Sequence, residues 1–158
     1  MGWVCFIEDG DYFIQMKLLS NEVLKKEALL FIEEAAKVAT QASCMRSKCG
    51  SVIVSNGTII GRGYNSPVKS DKNRCGISKD TYHKKITDKT CCIHAEQRAI
   101  LNALSLNAEK IEGSRLYFIR LDKENNKMNA GKPYCTICSK MALDVGIAEF
   151  VLLHEKGI

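Results

Sequence analysis

The chain has 158 residues, a length that matches a single domain. Hydrophobic residues make up 46% and charged residues 26% of it, with only two prolines, a composition that excludes disordered, collagen-like and coiled-coil proteins. The formal net charge is a mild +5, and no apolar run approaches the roughly 20 residues that span a bilayer, so neither a membrane nor a nucleic acid is the expected partner.

The first 19 residues are predicted to form an N-terminal extension that holds a hairpin. Two short strands, Trp3–Ile7 and Tyr12–Gln15, flank an Asp9-Gly10 turn. No repeat, low-complexity tract or linker divides the rest of the chain. Residues 20–158 are therefore predicted to form one domain.

A first helix is expected to open at Glu22, with Ser20 or Asn21 as its cap. Apolar residues at helical spacing form its buried stripe: Ala28, Phe31, Ile32, Ala35, Ala39 and Ala42. The next two apolar, β-branched runs, Ser51–Val54 and Thr58–Tyr64, are joined through Asn56-Gly57, which is the strongest short signal for a β-hairpin.

Two helices and two strands are predicted in the second half of the chain. They are a helix over His94–Leu106 that buries Ala95, Ala99, Leu101 and Ala103, a strand over Arg115–Leu121, a helix over Cys135–Val145 capped by Gly146, and a strand over Ala148–Leu153. This alternation predicts an α/β sandwich, in two or three layers, with helices on the faces of a mixed β-sheet.

A Cys-x-x-Cys pair at a predicted helix start, Cys135 and Cys138, indicates a metal site. Residues three apart are neighbours on a helix, and the free amides at its N-terminus favour the thiolates that zinc requires. His94, at the other helix start, supplies a third ligand. Three protein ligands leave a coordination position for water, as in catalytic zinc sites, whereas structural sites are closed by four.

Glu96 lies two residues after His94, where its carboxylate could take a proton from water beside the metal. Each of these residues also has a plainer interpretation. The cysteines could form a structural zinc site that two spare cysteines complete, His94 could be a core histidine, and Glu96 could be an acid that stabilises the first helical turn.

The segments His94-Ala95-Glu96 and Pro133-Tyr134-Cys135-Thr136-Ile137-Cys138 resemble the His-x-Glu and Pro-Cys-x-x-Cys signature of the zinc-dependent cytidine and deoxycytidylate deaminases. The resemblance extends over roughly residues 22–154 and implies the cytidine-deaminase-like fold for a deaminase domain over residues 20–158. The sequence departs from the family pattern in two places: Tyr134 separates Pro133 from Cys135, and the link from Leu121 to Pro133 is longer and more polar than usual.

The resemblance implies that His94, Cys135 and Cys138 hold zinc, that Glu96 protonates N3 of cytosine and then the departing amine, and that no organic cofactor is needed. The expected reaction is hydrolysis of dCMP to dUMP and ammonia. The alternatives are a cytidine or other nucleobase deaminase, a tRNA adenosine deaminase, and a catalytically silent module that binds zinc or nucleotides.

Asn65 is implied to bind the sugar of the substrate, although asparagine is also a common turn residue. The segment from Asn65 to Ile93 carries seven lysines and arginines against three aspartates, and is either a solvated surface loop or a rim that meets a 5′-phosphate. The resemblance also makes a second, structural zinc a candidate at Cys49, Cys75, His83 and Cys91, and the alternative is that these cysteines are free thiols.

Eight cysteines in 158 residues is about 5%, below the range typical of disulfide scaffolds. A cytoplasmic protein with reduced thiols is therefore expected. The resemblance further implies a homo-oligomer that acts on a small nucleotide.

Overall fold

The computed structural model describes residues 3–8, 11–16, 18–44, 47–70, 92–130, 135–155 and 157–158. Its helices are α1 (Glu22–Ala39), α2 (Ala95–Asn107) and α3 (Thr136–Asp144). Its strands are β1 (Trp3–Glu8), β2 (Asp11–Met16), β3 (Lys48–Ser55), β4 (Thr58–Tyr64), β5 (Ser66–Pro67), β6 (Cys92–Ile93), β7 (Arg115–Leu121), β8 (Lys127–Met128) and β9 (Glu149–Leu152).

The central sheet has five strands in the order β4-β3-β7-β8, with β9 also paired to β7. The pairs β3/β4, β3/β7 and β7/β8 are antiparallel, whereas β7 and β9 run parallel. The predicted mixed sheet is therefore confirmed. Both β8 and β9 lie against β7 because β8 pairs with its last two residues and β9 with its first four.

The alternation of side chains along the strands sorts the core into two clusters. One cluster joins α1 to the face that presents Val52, Tyr117 and Val151. The other joins α2 and α3 to the opposite face, through residues that include Ile53 and Leu116. The protein is thus a three-layer α/β/α sandwich, which confirms one of the two predicted layerings.

The helix ends follow the predicted caps. The Asn21 side chain accepts hydrogen bonds from the Val23 and Leu24 amides at 2.8 and 3.3 Å, which settles the choice between Ser20 and Asn21. Gly146 follows α3 with a φ of 80°, as the predicted left-handed cap requires.

Two predictions about helix faces are wrong. Leu101 is 56% exposed, because it lies two residues from Ala99 and Ala103, on the opposite side of α2 from those buried alanines. Ala42 lies outside α1, since the helix ends at Ala39 and Thr40 is its C-cap.

The N-terminal strands are present as the antiparallel pair β1 and β2, with Glu8 opposite Asp11. The Asp9-Gly10 turn lies outside the described residues, as does the greater part of the basic segment, residues 71–91. The division into an extension and a domain stays a prediction. No helix in the described ranges combines the length and the apolar character needed to cross a membrane.

Candidate metal centre and its cavity

A cavity of about 370 Å³ opens at the end of the sheet where β3 begins and β4 and β7 end. Its lining includes all the residues of the predicted zinc site: His94, Glu96, Cys135 and Cys138. Asn65 and Cys49 also line it. The two halves of the sequence motif, which lie about 40 residues apart in the chain, therefore meet in this cavity.

His94, Cys135 and Cys138 bring one donor atom each to within 4.8 Å of one another. The Cys138 Sγ and His94 Nδ1 atoms are 3.3 Å apart. Ligand bonds to tetrahedral zinc of about 2.0–2.3 Å place such donor atoms roughly 3.5–4 Å apart. The donor types and their spacing therefore fit zinc.

Helix starts position all three donors. His94 is the N-cap of α2 and Cys135 the N-cap of α3, while Cys138 lies in the first turn of α3. The Cys138 amide donates to Cys135 Sγ at 3.4 Å. The N-terminus of α3 thus places an amide donor beside the Cys135 sulfur, an arrangement that suits a thiolate ligand.

The side chain of Gln97 links the two helices that carry the donors. Its Oε1 atom accepts a hydrogen bond from the His94 amide at 3.1 Å. Its Nε2 atom donates to Met141 Sδ at 3.8 Å. This bridge fixes the start of α2 against α3, and with it the distance between His94 and Cys138.

The electrostatics of the cluster also favour a bound cation. Burial raises the pKa of the Cys138 thiol far above its ordinary value, and the charges of Glu96 and Cys135 raise it further. A buried thiol beside a carboxylate ionises only if a positive charge compensates it. A divalent cation supplies that charge.

Glu96 lies in the first turn of α2 and is only 9% exposed. Burial raises the pKa of its carboxyl, while its own backbone amide and the nearby His94 act in the opposite direction. A carboxyl with a raised pKa holds a proton more readily than a solvated carboxyl, so it can accept a proton and later release it. Glu96 is therefore suited to proton transfer inside the cavity.

Asn65 is buried in the cavity wall, where it ties the end of β4 to the start of β3. Its Oδ1 atom accepts from the Cys49 amide at 2.8 Å, and its Nδ2 atom donates to the Ser47 carbonyl at 2.9 Å. These bonds use one of its two amide hydrogens and hold the side chain in place. Its assignment to sugar binding stays a prediction.

Cys49 is the one candidate ligand of the second zinc within the described ranges, since Cys75, His83 and Cys91 fall outside them. Burial raises the pKa of its thiol to about 11, with Glu96 adding to the rise and Ser47 and Arg120 acting against it. Cys49 lines the same cavity as the main cluster without belonging to it. The second zinc stays a prediction.

Sequence reasoning missed Arg120 and Asn129, which also line the cavity. Arg120 follows Leu116 and Phe118 on one face of β7, and an arginine in phase with two apolar residues was a signal that could have been used. Asn129 follows β8, a two-residue strand of exposed residues that has no clear apolar alternation. The sequence around it gave no comparable signal.

Residues 25–154 match the family model described as the cytidine and deoxycytidylate deaminase zinc-binding region. The deoxycytidylate deaminase of Schizosaccharomyces pombe is 32% identical over 80 residues, which cover 46% of this chain and 24% of that protein. The chain thus matches about a quarter of the length of that relative.

Among solved structures, the dCMP deaminase from the cyanophage S-TIM5 in its apo form is similar in fold. The TM-score is 0.52 at 24% identity, and the match covers 80% of this chain and 79% of the other. This likeness confirms the fold predicted from the sequence. Since the family model spans most of the residues from α1 to β9, the chain belongs to the cytidine and deoxycytidylate deaminase zinc-binding family.

Proposed function

We propose that the protein is a zinc-dependent hydrolase that converts dCMP to dUMP with release of ammonia. The observation that carries the proposal is the meeting of His94, Cys135 and Cys138, with donor atoms within 4.8 Å of one another, beside the buried carboxyl of Glu96. Family membership supports the reaction type, and the similarity to a deoxycytidylate deaminase supports the nucleotide substrate.

His94, Cys135 and Cys138 would hold the zinc ion. Zinc bound there would supply a water nucleophile at neutral pH, because it lowers the pKa of water that it coordinates. The two thiolates and the neutral imidazole balance the charge of the ion. The hydrogen bonds of Gln97 and the two helix starts keep the three donors in register.

Glu96 would carry the protons. It takes a proton from the attacking water and delivers it to N3 of cytosine, while the water oxygen bonds to C4. It then passes the second proton of the water to the exocyclic amine, and the bond between C4 and that nitrogen breaks. Uracil and ammonia leave, so one water is consumed for each ammonia released.

The cavity that Glu96 lines suits this reaction. Phe118 and Phe150 contribute apolar surface to the cavity, whereas Asn65 and Ser47 contribute polar atoms. A mostly apolar wall with a few fixed polar groups is typical of sites that bind a small ligand. The cavity therefore provides a surface for a base and hydrogen-bonding groups for a sugar.

The test is ammonia release by the zinc-loaded protein from dCMP, cytidine and adenosine, with zinc measured in the same samples. We expect about one zinc per chain and the fastest release from dCMP. Release from cytidine but not dCMP would contradict a nucleotide substrate, and release from adenosine alone would favour the adenosine deaminase alternative. No release from any of them would leave a silent zinc module.

A further inference from the structure

The cavity has a cationic end that the zinc chemistry does not use. Among the described residues that line it, Arg120 is the one lysine or arginine. Its side chain is exposed, at the last but one position of β7. Within the described ranges, no carboxylate lies within ion-pair distance of its guanidinium, and no hydrogen bond holds it.

Three other cations of β3, β7 and β8 have partners within the protein. Lys48 donates to Asn125 Oδ1 at 2.6 Å, and Lys127 forms an ion pair with Glu33. Arg115, at the other end of β7, binds Glu149 at 2.5 Å. Arg120, by contrast, lines the cavity and has no ion-pair partner among the described residues, so its charge is available to an anion from solution.

Arg120 lies in a row with two polar residues of the cavity wall. It is directly opposite Cys49 across the β3/β7 pair. On the other side of β3, the Asn65 amide donates to the Cys49 carbonyl at 3.1 Å. Two strand spacings place the backbones of Asn65 and Arg120 about 10 Å apart. A ligand with its sugar at Asn65 has room to place a group beyond the sugar at Arg120.

Residues 122–130, a described part of the link between β7 and α3, lie at this end of the cavity. Met128 of β8 is directly opposite Arg120, which places the next residue, Asn129, beside Arg120 at the edge of the pair. The turn that precedes β8 is held by Asp122, whose carboxylate accepts from the Asn126 amide at 2.8 Å and its side chain at 3.0 Å. The Ala130 amide donates to the Leu153 carbonyl at 2.8 Å.

We propose that Arg120, with Asn129 beside it, is the specificity-determining residue that binds the 5′-phosphate of the nucleotide substrate. The guanidinium presents paired N–H donors that match two phosphate oxygens, and the Asn129 amide offers a further donor. The inference rests on the proposed function, since it assigns the phosphate of that substrate. Through Asn129, it gives the long link between β7 and α3 a role in substrate choice.

The experiment compares dCMP with deoxycytidine, which lacks the phosphate. Arg120→Gln should lower kcat/KM for dCMP by about 10- to 100-fold, mainly through KM, as loss of a charged hydrogen bond implies. Arg120→Lys should restore part of that loss. Zinc content and the unfolding midpoint should not change, because the side chain is exposed.

The matched control is Arg62→Gln. Arg62 is an exposed arginine of β4 that does not line the cavity, so this variant should keep the dCMP kinetics of the original protein. Affinities measured in a Glu96→Gln background, where the substrate is not consumed, give a second readout. There Arg120→Gln should weaken dCMP binding about 10- to 100-fold and leave deoxycytidine binding unchanged.

Two results would overturn the inference. One is unchanged dCMP binding and turnover in Arg120→Gln while the original protein releases ammonia from dCMP. The other is an equal loss for dCMP and deoxycytidine, which would show a merely structural role. If the original protein neither binds nor deaminates dCMP, the proposed function itself fails, and that outcome is distinct from both.

Discussion

Glu96 is a buried carboxyl with a metal-ligand cluster beside it, and burial raises its pKa. If this position served stability alone, a neutral side chain would suit it better, because burying a carboxyl costs free energy of folding. Its cost is explained if the carboxyl transfers protons. The neighbouring Gln97 needs no such explanation, because its neutral amide has two hydrogen-bond partners within the protein.

Replacing Glu96 by glutamine should abolish proton transfer while it keeps the shape of the cavity. We expect ammonia release from dCMP to fall by about 10²- to 10⁴-fold, with zinc content unchanged. The matched control is Glu109→Gln, since Glu109 is an exposed acid in the turn after α2. Zinc analysis and initial rates on the same preparations check it; a fully active Glu96→Gln variant would refute the assignment.

The cluster of candidate metal ligands could be predicted from sequence because its chemistry is unusual and its spacing fits two helix starts. The phase of Arg120 with Leu116 and Phe118 could have marked its position, but its role depends on neighbours in the cavity that only the structure shows. The partners of Asn65 were equally hidden. Its hydrogen bonds reach Ser47 and Cys49, which are 18 and 16 residues away.

At the scale of elements, the helix starts and the hairpin follow local rules. Asn56 and Gly57 have φ angles of 48° and 73°, so the turn uses the left-handed conformation that this residue pair tolerates. Leu101 was misplaced because the apolar residues of α2 do not mark a single face. Strand β8 was missed because its two residues are exposed and gain their pairing only from β7.

The Asn21 cap offers a test of local stability. Asn21→Ala removes the acceptor of the Val23 and Leu24 amides and should lower the free energy of unfolding by about 1 kcal/mol. Asn21→Asp keeps an acceptor oxygen and should stay close to the original value. Urea unfolding of both variants decides the matter, and equal stability of Asn21→Ala and Asn21→Asp would speak against the cap.

Gly63 couples the packing of the sheet to the metal centre. A Cβ atom there would lie 2.2 Å from the Ala95 carbonyl oxygen and 2.3 Å from the Ala99 amide nitrogen, so α2 must shift to admit it. Gly63→Ala should destabilise the protein by about 1–3 kcal/mol. It should also weaken zinc binding, because the same end of α2 carries His94.

The control for this variant is Gly57→Ala, where a Cβ atom meets nothing within 4 Å and only the positive φ is strained. Zinc affinity, measured by competition with a chromophoric chelator, should fall for Gly63→Ala and not for Gly57→Ala. Equal zinc affinities in the two variants would contradict the proposal that the packing of Gly63 against α2 affects the geometry of the zinc site.

At the scale of the whole molecule, the three layers bring distant parts of the chain to one end of the sheet. The fold class could be predicted because alternating helices and strands leave few arrangements. The cavity could not, since it depends on where β3, β4 and β7 end relative to the starts of α2 and α3. The cytoplasmic location and the homo-oligomer stay predictions.

The central claim is that a cation held by His94, Cys135 and Cys138 is required for deamination of dCMP. The most direct measurement follows ammonia release from dCMP after the metal is removed with a chelator and then restored stepwise with zinc. We expect release to stop on removal and to return in full at about one zinc per chain, with no return in Cys138→Ser. Undiminished release from the metal-free protein would contradict the account.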